Sequence, residues 1–286
     1  MSAINGMRNL GNTCYLNVAI QCLLSLSCMP IILNNIKNPK PSAILFLMDC
    51  FILQTSVRSP DVLYEQYLSL HNNKRHMPED AVECFLRLLQ YIEDNLKQIN
   101  SHVSVNECAC SIFWKSTNNL TLIQEHFVGL VYIKMKCTVC SELKKKFESF
   151  QIIPIHTSNS LRDGLIKLIT FSENIDGVEC ENCKEKCSFT VTHTFHRLPK
   201  VLLFEIVGSG DSFKFDEILV IDHTHGDEYT KLSYRLKTVV IYNGSHYTCI
   251  SYDSLAQRYV FIDDERTVPI ELNTSIRVRC LLYEVI

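Results

Sequence analysis

No stretch of this 286-residue chain is apolar for long enough to span a membrane. The best candidate, 42–53, falls well short of the roughly 20 residues required and is interrupted by Asp49. Long basic runs are missing too. Lys144-Lys145-Lys146 is the largest, and the formal net charge is −3, so neither a membrane nor a nucleic acid is expected as partner. The first residues lack the charged-then-apolar pattern of a secretory leader, so an intracellular protein is expected. Internal repeats and low-complexity linkers are also absent, which leaves one large domain or two small ones. What the chain does hold is a 47% hydrophobic composition, enough for a sizeable core, and 14 cysteines. A disulfide scaffold is one use for so many thiols. However, one of the three glycosylation sequons, at Asn243, lies beside a histidine picked out below, where a glycan would obstruct a site. A reducing cytosolic or nuclear compartment with free thiols is the better expectation.

The most informative segment is Gly11-Asn12-Thr13-Cys14-Tyr15-Leu16-Asn17, followed by an apolar, helix-like run to Leu26. A thiol at a helix start faces unpaired N–H groups and the positive end of the dipole, which favour the thiolate nucleophile. Such a nucleophile needs a base, and His246 stands out among ten histidines. It follows the strand-like run ending at Tyr242, sits beside the turn at Gly244, and opens another strand-like run. The next such run, Tyr259–Ile262, ends in Asp263-Asp264. Adjacent antiparallel strands would bring Asp263 to His246, where a carboxylate fixes the tautomer and stabilises the imidazolium. Asn9 lies five residues before Cys14, and its amide can join the Cys14 backbone N–H in an oxyanion hole.

Two further features carry chemistry. Cys137-Thr138-Val139-Cys140 and Cys180-Glu181-Asn182-Cys183 are paired-thiol knuckles, and four thiolates complete a tetrahedral Zn2+ site. The gap between them is longer than in a compact zinc ribbon, so residues 141–179 must leave the site and return; a metal-free pair of hairpins is the alternative. Pro78-Glu79-Asp80-Ala81 opens the clearest helix, expected over Glu79–Ile99, whose apolar residues from Ala81 to Leu96 recur at three- and four-residue spacings. Asp80 there suits a helix cap or first-turn acid.

These segments resemble the cysteine and histidine boxes of the ubiquitin-specific protease family, and the likeness runs from Asn5 to the end. The histidine box keeps Tyr234-x-Leu236, Val239-Val240, Gly244 and His246-Tyr247; Asp263 falls at the third catalytic position, with Asp264 as the second acid. The resemblance implies an α+β, papain-like cysteine protease in a single domain. A helical thumb would take about residues 1–125, zinc-ribbon fingers about 126–200, and an antiparallel palm about 201–286. It implies a deubiquitinase with Cys14, His246, Asp263 and Asn9 as catalytic groups. Structural zinc would sit on Cys137, Cys140, Cys180 and Cys183. Asp80 would meet an arginine of ubiquitin's Leu-Arg-Leu-Arg-Gly-Gly tail. Ubiquitin and ubiquitylated proteins are the implied partners, and a monomer is the default state. The chain departs from the family in a short Asn243-Gly244-Ser245 turn, in Tyr242 where relatives carry histidine, and in the loss of both glutamines before Asp80. An inactive ubiquitin-binding scaffold, or a protease for another ubiquitin-like modifier, remain the rival readings.

Overall fold

The computed structural model describes residues 4–52, 57–71, 74–96, 121–156, 158–208, 212–225 and 228–286, and the account below concerns these. The N-terminal part is helical: α1 (Cys14–Ser25), α2 (Met29–Asn34), α3 (Ser42–Ile52), α4 (Asp61–His71), α5 (Ala81–Asp94) and α6 (Leu122–Phe127). α1 is buried nearly all the way round, as expected of a helix whose sequence offers no charged face. α5 is the expected amphipathic helix with later bounds. Asp80 is extended and caps it by accepting the Val82 and Glu83 N–H groups, so the helix begins at Ala81. It ends at Asp94, and 97–99 of the expected span lie outside the described residues.

Two hairpins follow. β1 (Gly129–Cys137) and β2 (Leu143–Phe150) form the first, β3 (Ile152–His156) and α7 (Leu161–Thr170) intervene, and β4 (Ser172–Glu179) and β5 (Lys186–Arg197) form the second. The hairpins join through β1 and β5 into an antiparallel sheet of order β2-β1-β5-β4. β3 lies in the stretch expected to form fingers, but it pairs in parallel with β6 (Val201–Val207) and so belongs to the large sheet. The chain continues through β7 (Phe213–Lys214), β8 (Ile218–His225), β9 (Glu228–Tyr242), β10 (Tyr247–Asp253), β11 (Arg258–Asp263), β12 (Arg266–Ile270), β13 (Ser275–Ile276) and β14 (Cys280–Val285), most of which build the large sheet. Its order is β12-β11-β10-β9-β14-β6-β3, with β8 also on β9; β7 and β13 make a separate pair.

The large sheet explains the unbroken apolar runs of the C-terminal half. Val201, Leu203, Val240 and Leu282 join the core shared with the helices. Their neighbours Leu202, Phe204, Val239 and Leu281 join a second core that includes Leu161 and Leu165 of α7. Side chains alternate across a strand, so a sheet covered on both faces needs apolar residues at successive positions. α1 is sandwiched between α5 and strands β9 and β10. This sandwich sets the start of α1 beside the start of β10.

Candidate active site

Cys14 is the first residue of α1. The loop before it is held by Asn9, whose Oδ1 accepts from the N–H groups of Gly11 (3.0 Å) and Thr13 (3.2 Å). Gly11 and Asn12 both adopt positive φ, +94° and +56°. A side chain at Gly11 is excluded on two counts, since a Cβ there would stand 2.6 Å from His76 Nδ1. His76 latches this loop from outside: its carbonyl accepts from Asn12 Nδ2 at 2.8 Å, and its Nδ1 lies 3.2 Å from the Gly11 carbonyl.

His246 comes from the opposite wall. Asn243 Oδ1 accepts from the backbone N–H groups of Ser245 (3.0 Å) and His246 (2.8 Å), closing a tight turn that needs Gly244 at φ +105°. This turn sets His246 immediately before β10. β10 pairs with β11, and Asp263 at the end of β11 meets His246 Nε2 through Oδ1 at 2.7 Å. The pairing of Asp263 with His246 is thus made by strand adjacency. Asp264, in the turn between β11 and β12, is the hub. Its Oδ2 accepts from Asn9 Nδ2 (2.8 Å), its Oδ1 accepts from Asn17 Nδ2 (2.7 Å), and Oδ2 lies 3.8 Å from His246 Nε2. One carboxylate therefore ties the loop before Cys14, the helix that bears it and the histidine.

The Cys14 thiol is pushed up from its ordinary range by burial. The N–H of Tyr247 pulls the other way, Asp264 adds to the rise, and the N–H groups of Tyr15 and Cys14 do not restore the balance. The helix start was expected to favour the thiolate; here burial outweighs it. The Tyr247 N–H that acts on the sulfur belongs to the residue after His246, which fixes the histidine's wall against the nucleophile.

A cleft of about 430 Å³ opens at Cys14. Tyr15, Tyr242 and Tyr247 line it, the last two stacked with ring centroids 4.3 Å apart, and Glu79 and Asp80 supply its acids. Asp80 joins both readings of its position. Oδ1 caps α5, while Oδ2 accepts from Tyr247 Oη (3.2 Å) and Arg279 Nη2 (3.0 Å).

A sequence profile described as Ubiquitin carboxyl-terminal hydrolase matches residues 5–283. The chain belongs to this family. Ubiquitin carboxyl-terminal hydrolase 36 of Drosophila melanogaster is 27% identical over 306 residues, covering 94% of this chain and 28% of that protein. Ubiquitin carboxyl-terminal hydrolase 23 of Arabidopsis thaliana is 26% identical over 300 residues, covering 94% of this chain and 34% of that protein. The chain spans about a third or less of the length of these relatives.

This ubiquitin carboxyl-terminal hydrolase family member also brings its four knuckle cysteines together. The sulfurs of Cys137, Cys140, Cys180 and Cys183 all lie within 4.8 Å of one another. Cys137 and Cys183 are 3.9 Å apart, Cys140 and Cys180 3.5 Å. Four thiolates 2.3 Å from a tetrahedral zinc stand about 3.8 Å from each other, so the set fits that ion. The two knuckles share one backbone design. Ser141 N–H donates to Cys137 and Lys184 N–H to Cys180, and Ser141 and Lys184 both adopt positive φ. The Cys140 thiol is pulled down to about 6 by the Asn182 side chain and the Glu142 N–H. Cys187 packs beside the cluster without joining it.

Reading the sequence left three participants without roles. Asn17 carried a signal, being a polar residue on an apolar helix one turn beyond Cys14. Asp264 was visible as an acid but not as the hub. Arg279 carried no signal, because its partner Asp80 is 199 residues away.

Proposed function

We propose that this chain is a thiol-dependent deubiquitinase that hydrolyses the bond after the C-terminal glycine of ubiquitin on protein conjugates. The observation that carries the reading is the 2.7 Å His246–Asp263 contact on a wall whose next N–H bears on the Cys14 sulfur. Asp263 holds Nε2, leaving Nδ1 to take the thiol proton. The sulfur then attacks the glycine carbonyl carbon. An amide nitrogen has two hydrogens; Asp264 holds one on Asn9, and the other, with the Cys14 N–H, meets the oxyanion. His246 returns its proton to the departing lysine amine, leaving a thioester. Water, giving a proton to His246, hydrolyses that thioester and frees Cys14.

The helices, the four-stranded sheet and the large sheet serve as thumb, fingers and palm of a papain-like protease. Cys137, Cys140, Cys180 and Cys183 would hold a structural zinc, and a full set of four thiolates would leave it no part in the chemistry. Asp80 lines the path of the ubiquitin tail. The enzyme works as a monomer in a reducing cytosolic or nuclear compartment, on ubiquitin and ubiquitylated proteins.

The test is incubation with ubiquitin carrying a thiol-reactive C-terminal electrophile. A covalent adduct on the wild-type chain that is lost in Cys14→Ala is expected. Folded, reduced, zinc-replete protein that binds ubiquitin without forming the adduct would instead mark a binding scaffold.

A further inference from the structure

The cleft at Cys14 contains two acids, and both are already paired with arginines of the chain itself. Glu79 Oε2 accepts from Tyr67 Oη (2.6 Å) and Arg87 Nη1 (3.3 Å). Asp80 Oδ2 accepts from Arg279 Nη2 at 3.0 Å, and the same nitrogen lies 2.6 Å from Glu205 Oε1. Arg279 is not a loose surface side chain. Its N–H donates to the Val240 carbonyl and its own carbonyl accepts from Ile206 N–H, so the residue is pinned between β9 and β6. Its side chain is about three-quarters shielded from solvent, and its guanidinium bridges the two carboxylates. Tyr247 Oη donates to the same Asp80 oxygen at 3.2 Å.

A guanidinium entering with a substrate tail therefore finds its carboxylate taken. To bind Asp80 it must displace Arg279, which Glu205 holds from the other side, and the exchange of one arginine for another gains little. We infer that Arg279 is a built-in occupant of the arginine position of this cleft, and that it sets specificity. The cleft selects tails by their narrow glycine end and by contact with Tyr15, Tyr242 and Tyr247, and it tolerates neutral residues where ubiquitin has arginine. Its substrate class is protein tails ending in Gly-Gly, including ubiquitin-like tails without arginine. This inference rests on the hydrolase reading above.

The test pairs enzyme and substrate variants. Ubiquitin substrates ending in Leu-Arg-Leu-Arg-Gly-Gly, Leu-Ala-Leu-Arg-Gly-Gly and Leu-Arg-Leu-Ala-Gly-Gly, each with a fluorogenic leaving group, are compared on the wild type and Arg279→Gln. In parallel, Kd for the same ubiquitins lacking the leaving group is measured on the Cys14→Ala background. On the wild type, either alanine is expected to change kcat/KM and Kd by less than about twofold. In Arg279→Gln, Asp80 and Glu205 lose their internal partner. One of the alanine tails is then expected to lose about fivefold relative to the native tail, the scale of a partly exposed ion pair. A wild-type loss of tenfold or more on either alanine tail overturns the inference, and that arm needs no altered enzyme should Arg279→Gln fail to fold. A folded Arg279→Gln enzyme with no added arginine dependence overturns it as well. In both cases turnover of the native tail leaves the hydrolase reading intact. If the wild type neither binds nor cleaves any of the tails, the hydrolase reading falls and takes this inference with it.

Discussion

Gly6 offers the most demanding test of how the site around Cys14 is held. A Cβ added at residue 6 would stand 2.3 Å from the Glu265 carbonyl oxygen, 2.5 Å from its carbon and 2.7 Å from the Asp264 carbonyl oxygen. All three are backbone atoms of the turn between β11 and β12, so no side chain can swing aside. Relief to 3.0 Å, the lower limit of real contacts, requires a shift of about 0.7 Å. The neighbouring Met7 N–H donates to the Asp264 carbonyl at 2.8 Å, so the strain falls on the residue that holds Asn9 and Asn17, next to the one that holds His246. Overpacking of this kind costs about 1–3 kcal/mol of stability, and a misplacement approaching 1 Å at reacting groups lowers rates by up to about 100-fold. Gly6→Ala should therefore lower kcat/KM on fluorogenic ubiquitin by about 10- to 100-fold while lowering Tm by only a few degrees. Gly177→Ala is the control. Gly177 has φ +76° and open space around it, far from the site, so the variant bears backbone strain without touching the turn. Its kcat/KM should match the wild type. Wild-type kcat/KM and Tm in Gly6→Ala would refute the idea that close packing of the N-terminal segment positions the two aspartates.

Three further outcomes are expected. Asp264→Ala removes the shared acceptor of Asn9 and Asn17 and should lower kcat/KM at least tenfold, with a loss of about 1–3 kcal/mol in denaturant unfolding because the Asn17 amide is buried; an unchanged rate would remove it from the site. Metal analysis should find one zinc per chain that disappears in Cys180→Ser, and chelation should lower Tm; a metal-free chain with the same Tm would show the four sulfurs packing alone. Burial tends to push the Asp80 carboxyl up, but the Glu83 N–H and Arg279 outweigh it and hold it below its usual range. A depressed folded value gives stability that is present above the unfolded value of about 3.9 and lost as pH falls through the folded one. Asp80→Asn, which keeps the cap, should therefore be less stable than the wild type by about 1 kcal/mol at pH 7, and the gap should close as pH falls through the folded value; a gap that does not narrow in acid would contradict this.

The parts legible in the sequence share one property: their physics is local. α5 could be read from its apolar spacing, the Asn243–Ser245 turn from its residues, and the knuckles from their two-residue spacing. The His246–Asp263 pair could be inferred because neighbouring antiparallel strands bring such residues together. Legibility fails where an element's fate depends on a distant partner. β3 looks like any short strand, and only its parallel pairing with β6 assigns it to the large sheet. The Cys14 thiol was expected to be lowered by its helix, but the opposing burial comes from β10 and α5 packing around it, which a local reading of residues 11–17 cannot contain. Asp80 announced itself as a cap, yet its second oxygen answers to Arg279 near the other end of the chain.

The hub at Asp264 also governs when the protein can become active. Its hydrogen bonds to Asn9 and Asn17 span 255 and 247 residues, and β14, formed by residues 280–285, lies between β9 and β6 near the middle of the large sheet. Contacts of such long range form late and slowly. During synthesis Cys14 emerges 250 residues ahead of Asp264, the acid that organises its loop. The central strand of the sheet carrying the histidine follows later still. Until then Asn9 lacks its anchor and Cys14 stands without the sheet wall that carries His246, so the site cannot assemble on a partial chain.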